Sequence, residues 1–269
     1  MEKFITCSGL PVRVATYGAP PDKGGVATLL LHGYMESLEV WERFAKQLGK
    51  TAYTITLDLP GHGLSGTHPH ANSMELMAEV AREACLALSA ERVAVVGHSL
   101  GGYVALTLAK NHPALVSRLC LMHSTPDADT EEKKRQRDRE VALIAAGKRE
   151  LLALQSLPLM FAADNVSRLY EPLADLETCA LLADDAGTMA SLRGMRERED
   201  MGEFLGAFGK PLLFVFGKKD RYIPWETAQA LMERFPQAQT LALENSGHAG
   251  FIEEEAATLG AVTAFVTGE

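Results

Sequence analysis

The pentapeptide Gly97-His98-Ser99-Leu100-Gly101 follows the apolar run VAVV (93–96) and opens the helical stretch LGGYVALTLAK (100–110). A serine in a G-x-S-x-G pattern between a strand and a helix is typical of a nucleophile elbow, a sharp turn that exposes the serine hydroxyl. The turn brings the positions two before and two after the serine together, so both must be glycine or very small. This placement predicts that Ser99 is a nucleophile.

Short apolar runs alternate with helical stretches on both sides of this pentapeptide. Strands are predicted at 2–8, 11–17, 27–33, 52–60, 92–99, 118–124, 211–217 and 239–245. Four of these runs are almost continuously apolar, as strands buried on both faces require: 27–33, 92–99, 118–124 and 211–217. Helices are expected at 38–48, 73–89, 100–110, 225–235 and 253–266. The alternation predicts an α/β fold with a mostly parallel central sheet flanked by helices.

Residues 126–209 interrupt the alternation. They contain charged and leucine-rich helical patterns, several prolines and glycines, and no convincing strand. We therefore expect one core, residues 1–125 and 210–269, with a helical cap (lid) insertion at 126–209. The charge run at 131–140 within this insertion is interpreted as a solvated helix face.

Composition and charge narrow the range of partners. The 269 residues are 47% hydrophobic and 23% charged, and the formal net charge is −9. Nucleic acids and anionic membranes are disfavoured because both bind positive surfaces. No apolar run approaches the ~18 residues of a membrane span. No apolar segment follows a basic start at the N-terminus, so we expect a cytoplasmic protein that acts on a small molecule. The sequence leaves the oligomeric state open.

Neither a metal nor a cofactor is expected. The four cysteines are scattered and have no metal-ligand spacing. His68 and His70 lie in a polar loop without an obvious third ligand.

A serine hydroxyl needs a base to remove its proton, and a histidine suits that task. His248 stands in a loop after the last predicted strand and is the expected base. The imidazole in turn needs a carboxylate that holds its tautomer. Asp220 follows the strand at 211–217 and is the expected acid, with Asp127 in reserve and a local pairing with Lys219 or Arg221 as the alternative.

The oxyanion of an acyl-transfer reaction needs backbone N–H donors. The N–H of Leu100 lies at the start of the predicted helix, and the N–H of Tyr34 follows the strand at 27–33. His32 is expected to brace this loop by hydrogen bonding. A segment at 58–65, which contains Asp58 and His62, is interpreted as a second braced turn. His123, near the end of its strand, is a further candidate for the pocket wall.

These motifs together resemble the α/β-hydrolase superfamily. LLLHGY, DLPGHGLS, GHSLGG, GKKD and SGH recur there in this order and span residues 27–248. The chain looks most similar to a small bacterial branch of carboxylesterases, cofactor-free haloperoxidase-like enzymes and menaquinone-pathway synthase relatives. The resemblance implies Ser99, Asp220 and His248 as a triad, Tyr34 and Leu100 as amide donors, and 126–209 as the lid.

Three functions follow. The first is hydrolysis of a small, apolar carboxylic ester (EC 3.1.1) through an acyl-enzyme on Ser99. The second is a C–C bond hydrolase or synthase-like lyase on the same triad, in which Arg168, Arg193 or Arg196 binds a carboxylated substrate. The third is a non-enzymatic receptor built on a retired hydrolase, which the presence of all three triad residues opposes. Two features exclude some branches of this superfamily. The segment expected to hold the oxyanion is His-Gly-Tyr rather than the glycine-rich HGGG, and the expected nucleophile is serine rather than aspartate.

Overall fold

The computed structural model describes residues 1–22 and 24–268. In this part of the chain, eight strands form one sheet: β1 (Glu2–Cys7), β2 (Leu10–Tyr17), β3 (Ala27–Leu31), β4 (Thr54–Leu57), β5 (Val93–His98), β6 (Val116–Met122), β7 (Leu212–Gly217) and β8 (Gln239–Leu243). Their order is β1-β2-β4-β3-β5-β6-β7-β8. β2 pairs antiparallel with both β1 and β4, and the other neighbouring strands are parallel. The predicted mostly parallel sheet is confirmed.

Side chains of the central strands pack alternately on the two faces of this sheet. Leu29 and Leu31 of β3 belong to the apolar core on one face, whereas Leu30 belongs to the core on the other. Val95 and Val96 of β5 divide in the same way. Burial on both faces explains why these strands are continuously apolar in sequence.

Helices cover both faces of the sheet and fill the long connection between β6 and β7. They are α1 (Glu42–Leu48), α2 (Met74–Ala87), α3 (Leu100–Asn111), α4 (Glu131–Ala145), α5 (Arg149–Ser156), α6 (Tyr170–Leu182), α7 (Asp185–Arg196), α8 (Gly202–Gly206), α9 (Trp225–Arg234), α10 (Gly250–Glu253) and α11 (Glu255–Thr267). Short 3₁₀ turns lie at Leu38–Trp41, Leu157–Met160 and Ala163–Asn165. No helix in the described ranges has both the length and the hydropathy needed to cross a membrane.

The helix expected at 38–48 is divided, and the helix expected at 253–266 begins two residues later, at Glu255. The stretch at 38–48 begins with a 3₁₀ turn, which the Ser37 hydroxyl caps, and only then becomes α1. α10 and α11 are separated at Glu254, whose φ of −128° and ψ of 53° are not helical. The Glu254 carboxylate accepts hydrogen bonds from the Asn245 N–H and the Ser246 hydroxyl, and these contacts hold the backbone at the break.

The segment 126–209 contains helices and 3₁₀ turns and no strand among its described residues. An apolar cluster joins it to the strand-end loops: Met35, Ala153, Leu157, Met160, Phe161, Leu173, Leu176, Ala180 and Ala249. The His248 N–H also donates to the Met160 carbonyl at 2.6 Å. The helical segment therefore rests on the carboxyl edge of the sheet. Its separate status as a cap remains a prediction.

Candidate active site

Ser99 occupies a strained turn between β5 and α3. Its φ is 49° and its ψ is −113°, a backbone conformation that residues with a side chain seldom adopt. A Cβ at Gly97 would overlap the carbonyl of Gly101, and a Cβ at Gly101 would overlap the carbonyl of Leu31. Both positions therefore require glycine. The Ser124 hydroxyl donates to the Ser99 carbonyl at 2.8 Å and braces the turn from β6.

His248 and Asp220 meet at the ends of β8 and β7. His248 Nδ1 donates to Asp220 Oδ2 at 2.8 Å, and Asp220 Oδ1 accepts the backbone N–H groups of Tyr222 and Ile223 at 2.8 and 3.0 Å. The alternative in which Asp220 pairs with Lys219 or Arg221 is not observed in the described residues. With Nδ1 protonated, His248 has an unprotonated Nε2 that can act as a base.

The surroundings of the Asp220 carboxyl group strongly favour its ionised form. Its burial alone would raise its pKa, but the electrostatic attraction of His248 and the hydrogen bonds from His123 and His248 outweigh burial and hold the pKa well below its usual value. A permanently ionised carboxylate can orient the imidazole and stabilise the imidazolium that forms when the base takes a proton.

Ser99 and His248 line the same cavity, which has a volume of about 310 Å³ and lies between the strand-end loops and the helical segment. Leu157, Met160 and Ile223 give part of its wall an apolar surface. Asp220 lies behind His248 and is 6% exposed, so the carboxylate is shielded from the cavity. The arrangement suits a nucleophile and base that act on a substrate held under the helices.

The two expected oxyanion donors lie at the ends of β3 and β5. Leu100 is the first residue of α3, and Tyr34 follows β3 and lines the cavity. Neither backbone N–H donates to an acceptor among the described residues. Two unengaged N–H groups near Ser99 are what a developing oxyanion would require if Ser99 is a nucleophile.

A buried ion pair lies beneath this loop, and the sequence interpretation missed one of its members. Glu36 accepts a hydrogen bond from the Gly33 N–H at 2.5 Å and lies 3.1 Å from His98 Nδ1. His98 Nε2 donates to the His248 carbonyl at 2.8 Å. Because both ring nitrogens of His98 face acceptors, the ring is an imidazolium. The pair connects the loop that contains Gly33 and Tyr34 to the loop that contains His248.

The charges of this pair sustain each other. Burial lowers the pKa of His98, but the charge of Glu36 and its hydrogen bond outweigh burial and raise it. Burial likewise raises the pKa of Glu36, and the charge of His98 reverses that effect and lowers it. Both side chains are wholly shielded from solvent.

His123 does not line the cavity. It is fully buried behind Asp220, donates from Nδ1 to Asp220 Oδ2 at 3.2 Å and accepts the Gly250 N–H on Nε2. Burial lowers the pKa of His123 to about 4, so the ring is neutral near pH 7. His123, Asp220 and His248 bring their donor atoms within 4.8 Å of one another. Both histidines, however, direct Nδ1 at one carboxylate oxygen, so a metal here would have to displace both protons and both hydrogen bonds.

Two of the other histidines and Asp58 lie in the bracing loops. His32 Nδ1 donates to the Gly33 carbonyl and Nε2 accepts the Leu59 N–H at 3.0 Å. His62 Nδ1 lies 3.2 Å from the Pro60 carbonyl. Asp58 accepts hydrogen bonds from Arg13 and from the backbone beyond β3 and β4. These contacts fix the loops that flank the cavity.

The reserve residues lie elsewhere. Asp127 pairs with Arg234 at 2.6 Å on the surface. The three arginines considered for a carboxylated substrate are not part of the cavity wall. Arg168 donates to Asn165, Arg193 to the His70 carbonyl and Arg196 to Asp138. The charge run at 131–140 is only partly a solvated face, because Lys133 and Arg137 do line the cavity. Sequence periodicity could not reveal which face of α4 turns inward.

Comparison with known proteins identifies the class. A family model described as the alpha/beta hydrolase fold matches residues 27–149 and 196–255. The chain belongs to this family and is an enzyme of the α/β-hydrolase class. It is 28% identical over 252 residues to a pimeloyl-[acyl-carrier protein] methyl ester esterase of Aeromonas hydrophila, a match that covers 90% of this chain and 94% of the relative.

Further relatives are also named as esterases. A pimeloyl-[acyl-carrier protein] methyl ester esterase of Xanthomonas campestris is 30% identical over 238 residues, with 85% of this chain and 90% of the relative covered. A malate-bound structure of a thermophilic esterase from Thermogutta terrifontis superimposes with a TM-score of 0.92 at 24% identity, and covers 100% of this chain and 98% of the other. The structural likeness supports the fold.

Proposed function

We propose that the protein is a serine esterase that cleaves a carboxylic ester through an acyl-enzyme. Ser99 is the nucleophile, His248 the base and Asp220 the residue that orients it. Residues 126–209 form the cap over the substrate, and the enzyme acts in the cytoplasm without a metal or cofactor. The observation that carries the proposal is the 2.8 Å contact of His248 with Asp220 in the loop that shares a cavity with Ser99.

The first half-reaction forms the acyl-enzyme. Ser99 Oγ attacks the ester carbonyl carbon while His248 Nε2 takes the hydroxyl proton. The N–H groups of Tyr34 and Leu100 hold the oxyanion of the tetrahedral intermediate, and a single such donor typically contributes about 10²–10³ in rate. The intermediate collapses, the C–O bond to the alcohol breaks, and His248 returns the proton to the leaving oxygen.

The second half-reaction releases the acid. A water molecule gives its proton to His248 and attacks the acyl carbon, and the same two N–H groups hold the second oxyanion. The bond between the acyl carbon and Ser99 Oγ then breaks and His248 returns its proton to Oγ, which frees the carboxylic acid and restores the Ser99 hydroxyl. Asp220 stays ionised throughout and stabilises the imidazolium in both halves.

The relatives support the choice of an ester. Those from Aeromonas and Xanthomonas are named for the methyl ester of pimeloyl-[acyl-carrier protein]. The apolar wall at Leu157 and Met160 suits the hydrocarbon part of such a substrate. Identity of 28–30% over most of both chains supports the reaction class.

The test compares Ser99→Ala with Ser117→Ala. Ser117 lies near the start of β6, at the opposite end of the strands from the cavity. We expect Ser99→Ala to reduce kcat/KM for p-nitrophenyl butyrate by at least about 10³-fold, because both the nucleophile and its proton transfer are lost. Ser117→Ala loses only the hydrogen bond of its hydroxyl to the Val93 carbonyl at 2.9 Å and should retain activity. Ser99→Ala should melt close to the parent. Hydrolysis by Ser99→Ala at the parental rate would overturn the proposal.

A further inference from the structure

One face of α4 forms a charged wall of the cavity. Lys133, Gln136, Arg137 and Glu140 all line it, and their spacing of three and four residues places them on a single helix face. Apolar side chains are close by, since Leu157 and Met160 line the same cavity. The space that holds the reacting ester therefore has an apolar part and an ionic part.

Behind this wall, Arg137 shares a buried carboxylate with a second arginine, and neither that carboxylate nor the second arginine lines the cavity. Arg137 Nε donates to Asp129 Oδ2, and Arg198 Nη1 donates to Asp129 Oδ1. The Arg137 and Arg198 side chains are each 8% exposed and that of Asp129 is 1% exposed. Burial raises the pKa of Asp129, but hydrogen bonds and charge from both arginines outweigh it and lower the pKa, so the group has one more positive than negative charge. A surplus charge in a shielded place is costly unless a counter-charge reaches it.

Lys133 adds a second positive charge. Among the described residues its ammonium contacts the Gln136 side-chain oxygen at 3.5 Å and has no carboxylate within 4.0 Å. The neighbouring Lys134, in contrast, pairs with Glu131 at 2.9 Å. Glu140 is the acid on this wall, and its carboxylate accepts a hydrogen bond from Gln136 at 2.9 Å.

The charged residues of this wall and those directly behind it comprise three cations and two anions. The cations are Lys133, Arg137 and Arg198, and the anions are Asp129 and Glu140. Glu36, the other acid that lines the cavity, is balanced by its pair with His98. The Arg137 guanidinium has donors left after its contact with Asp129, because Nη1 makes none of the hydrogen bonds of the described residues. A guanidinium and an ammonium on adjacent turns of one helix suit a carboxylate or phosphate.

We propose that the ester substrate has an anionic group at the end remote from the scissile bond, and that Lys133 and Arg137 bind it. The inference rests on the proposed esterase function and names the substrate class. The apolar wall contacts the hydrocarbon between the ester and the anion. Binding of the anion offsets the surplus charge of the buried group, and so selects anionic esters over neutral ones of equal length.

The test uses matched esters. For the acyl side, p-nitrophenyl hexanoate is compared with the mono-p-nitrophenyl ester of adipic acid and with the 6-aminohexanoate ester. For the alcohol side, a hexyl butyrate is compared with the butyrate of 6-hydroxyhexanoic acid. We expect the carboxylate ester of one series to exceed its neutral partner in kcat/KM by about tenfold or more, which corresponds to ~1.4 kcal/mol. The gain should appear mainly in KM, because the anion is bound in the ground state as well.

Two lysine variants test which side chain produces the preference for the carboxylate ester. Lys133→Met should remove most of the preference for the carboxylate ester, and Lys134→Met, one residue along the helix, should leave it unchanged. Lys133 is chosen because replacing Arg137 would also disturb the buried Asp129.

Neutral esters cleaved as fast as carboxylate esters in both series would overturn the inference. A preference that survives Lys133→Met would do the same, as would a preference for the amino ester, which would assign the wall to Glu140. These results leave the esterase proposal intact. Absence of Ser99-dependent cleavage of any ester is the different outcome that defeats the proposed function.

Discussion

Replacing Glu36 by glutamine removes one charge from a buried ion pair and hardly changes the shape of the side chain. In the protein, Glu36 accepts hydrogen bonds from the Gly33 N–H and the His98 imidazolium. If His98 kept its charge beside a neutral partner, the cost would be about 3–5 kcal/mol, as for other buried charges that lose their partner. His98 can avoid that cost by releasing its Nδ1 proton, since the new amide can then donate to Nδ1.

What remains is the weakening of three hydrogen bonds from charged to neutral: the Gly33 N–H to Glu36, His98 to Glu36, and His98 Nε2–H to the His248 carbonyl. Each such change amounts to about 1 kcal/mol, so Glu36→Gln should lower the free energy of unfolding by about 3 kcal/mol near pH 7. For a chain of this size that loss lowers the melting temperature by roughly 6–12 °C. The loops that hold Tyr34 and His248 are the parts that this pair connects.

The loss should depend on pH. Because the pKa of His98 is raised in the folded protein, its charge stabilises the fold fully below the ordinary value of 6.5, and the contribution is lost as the pH rises through the folded pKa. Because the pKa of Glu36 is lowered, its contribution is present above the ordinary value of 4.5 and is lost as the pH falls through the folded pKa. The difference between parent and variant is therefore greatest between 4.5 and 6.5 and smaller at about pH 9.

Urea unfolding at about pH 6 and pH 9 measures this difference. Tryptophan fluorescence is a suitable signal, since the ring of the buried Trp41 lies 6.4 Å from that of His98. Glu39→Gln is the matched control, because the Glu39 carboxylate is 56% exposed and pairs with Arg13, and such pairs contribute about 1 kcal/mol or less. A loss for Glu36→Gln no greater than that of the control, and equal at both pH values, would show that Glu36 and His98 do not form a stabilising ion pair.

Two further substitutions test the base and the elbow. Asp220→Asn should lower kcat for p-nitrophenyl butyrate by about 10³–10⁴-fold, because an amide no longer fixes the His248 tautomer or stabilises the imidazolium; a variant within tenfold of the parent would contradict this role. Gly102→Ala should lower the free energy of unfolding by about 1–3 kcal/mol, because its Cβ would overlap the Ser124 side chain. Gly206→Ala is its control in thermal melts, since the nearest atom to that Cβ is 4.0 Å away, and equal melting temperatures would count against the close packing at Gly102.

The sheet could be predicted from sequence because its strands are buried on both faces and hence continuously apolar. The positions of candidate catalytic residues directly after such strands could also be predicted, because parallel strands all end at the carboxyl edge of the sheet. Ser99, Asp220 and His248 follow β5, β7 and β8. This regularity explains why residues far apart in the chain were expected to lie close together.

Contacts that depend on side-chain packing could not be predicted in this way. Glu36 lies in a loop without periodicity, and its partner His98 is identified only when β3 and β5 are placed side by side. The orientation of α4 was hidden as well, because the helix is strongly polar and buries only Arg137 and Ile144. Without an apolar stripe, sequence does not show which charged face turns toward the core.

The proposed triad is tested most directly by labelling the enzyme with a fluorophosphonate and locating the adduct by mass spectrometry. Trypsin cleavage after Arg92 and Lys110 releases a peptide whose single serine is Ser99. We expect one adduct per chain on Ser99, formed much more slowly in His248→Ala. An adduct on another residue, or no adduct while ester hydrolysis continues, would contradict it.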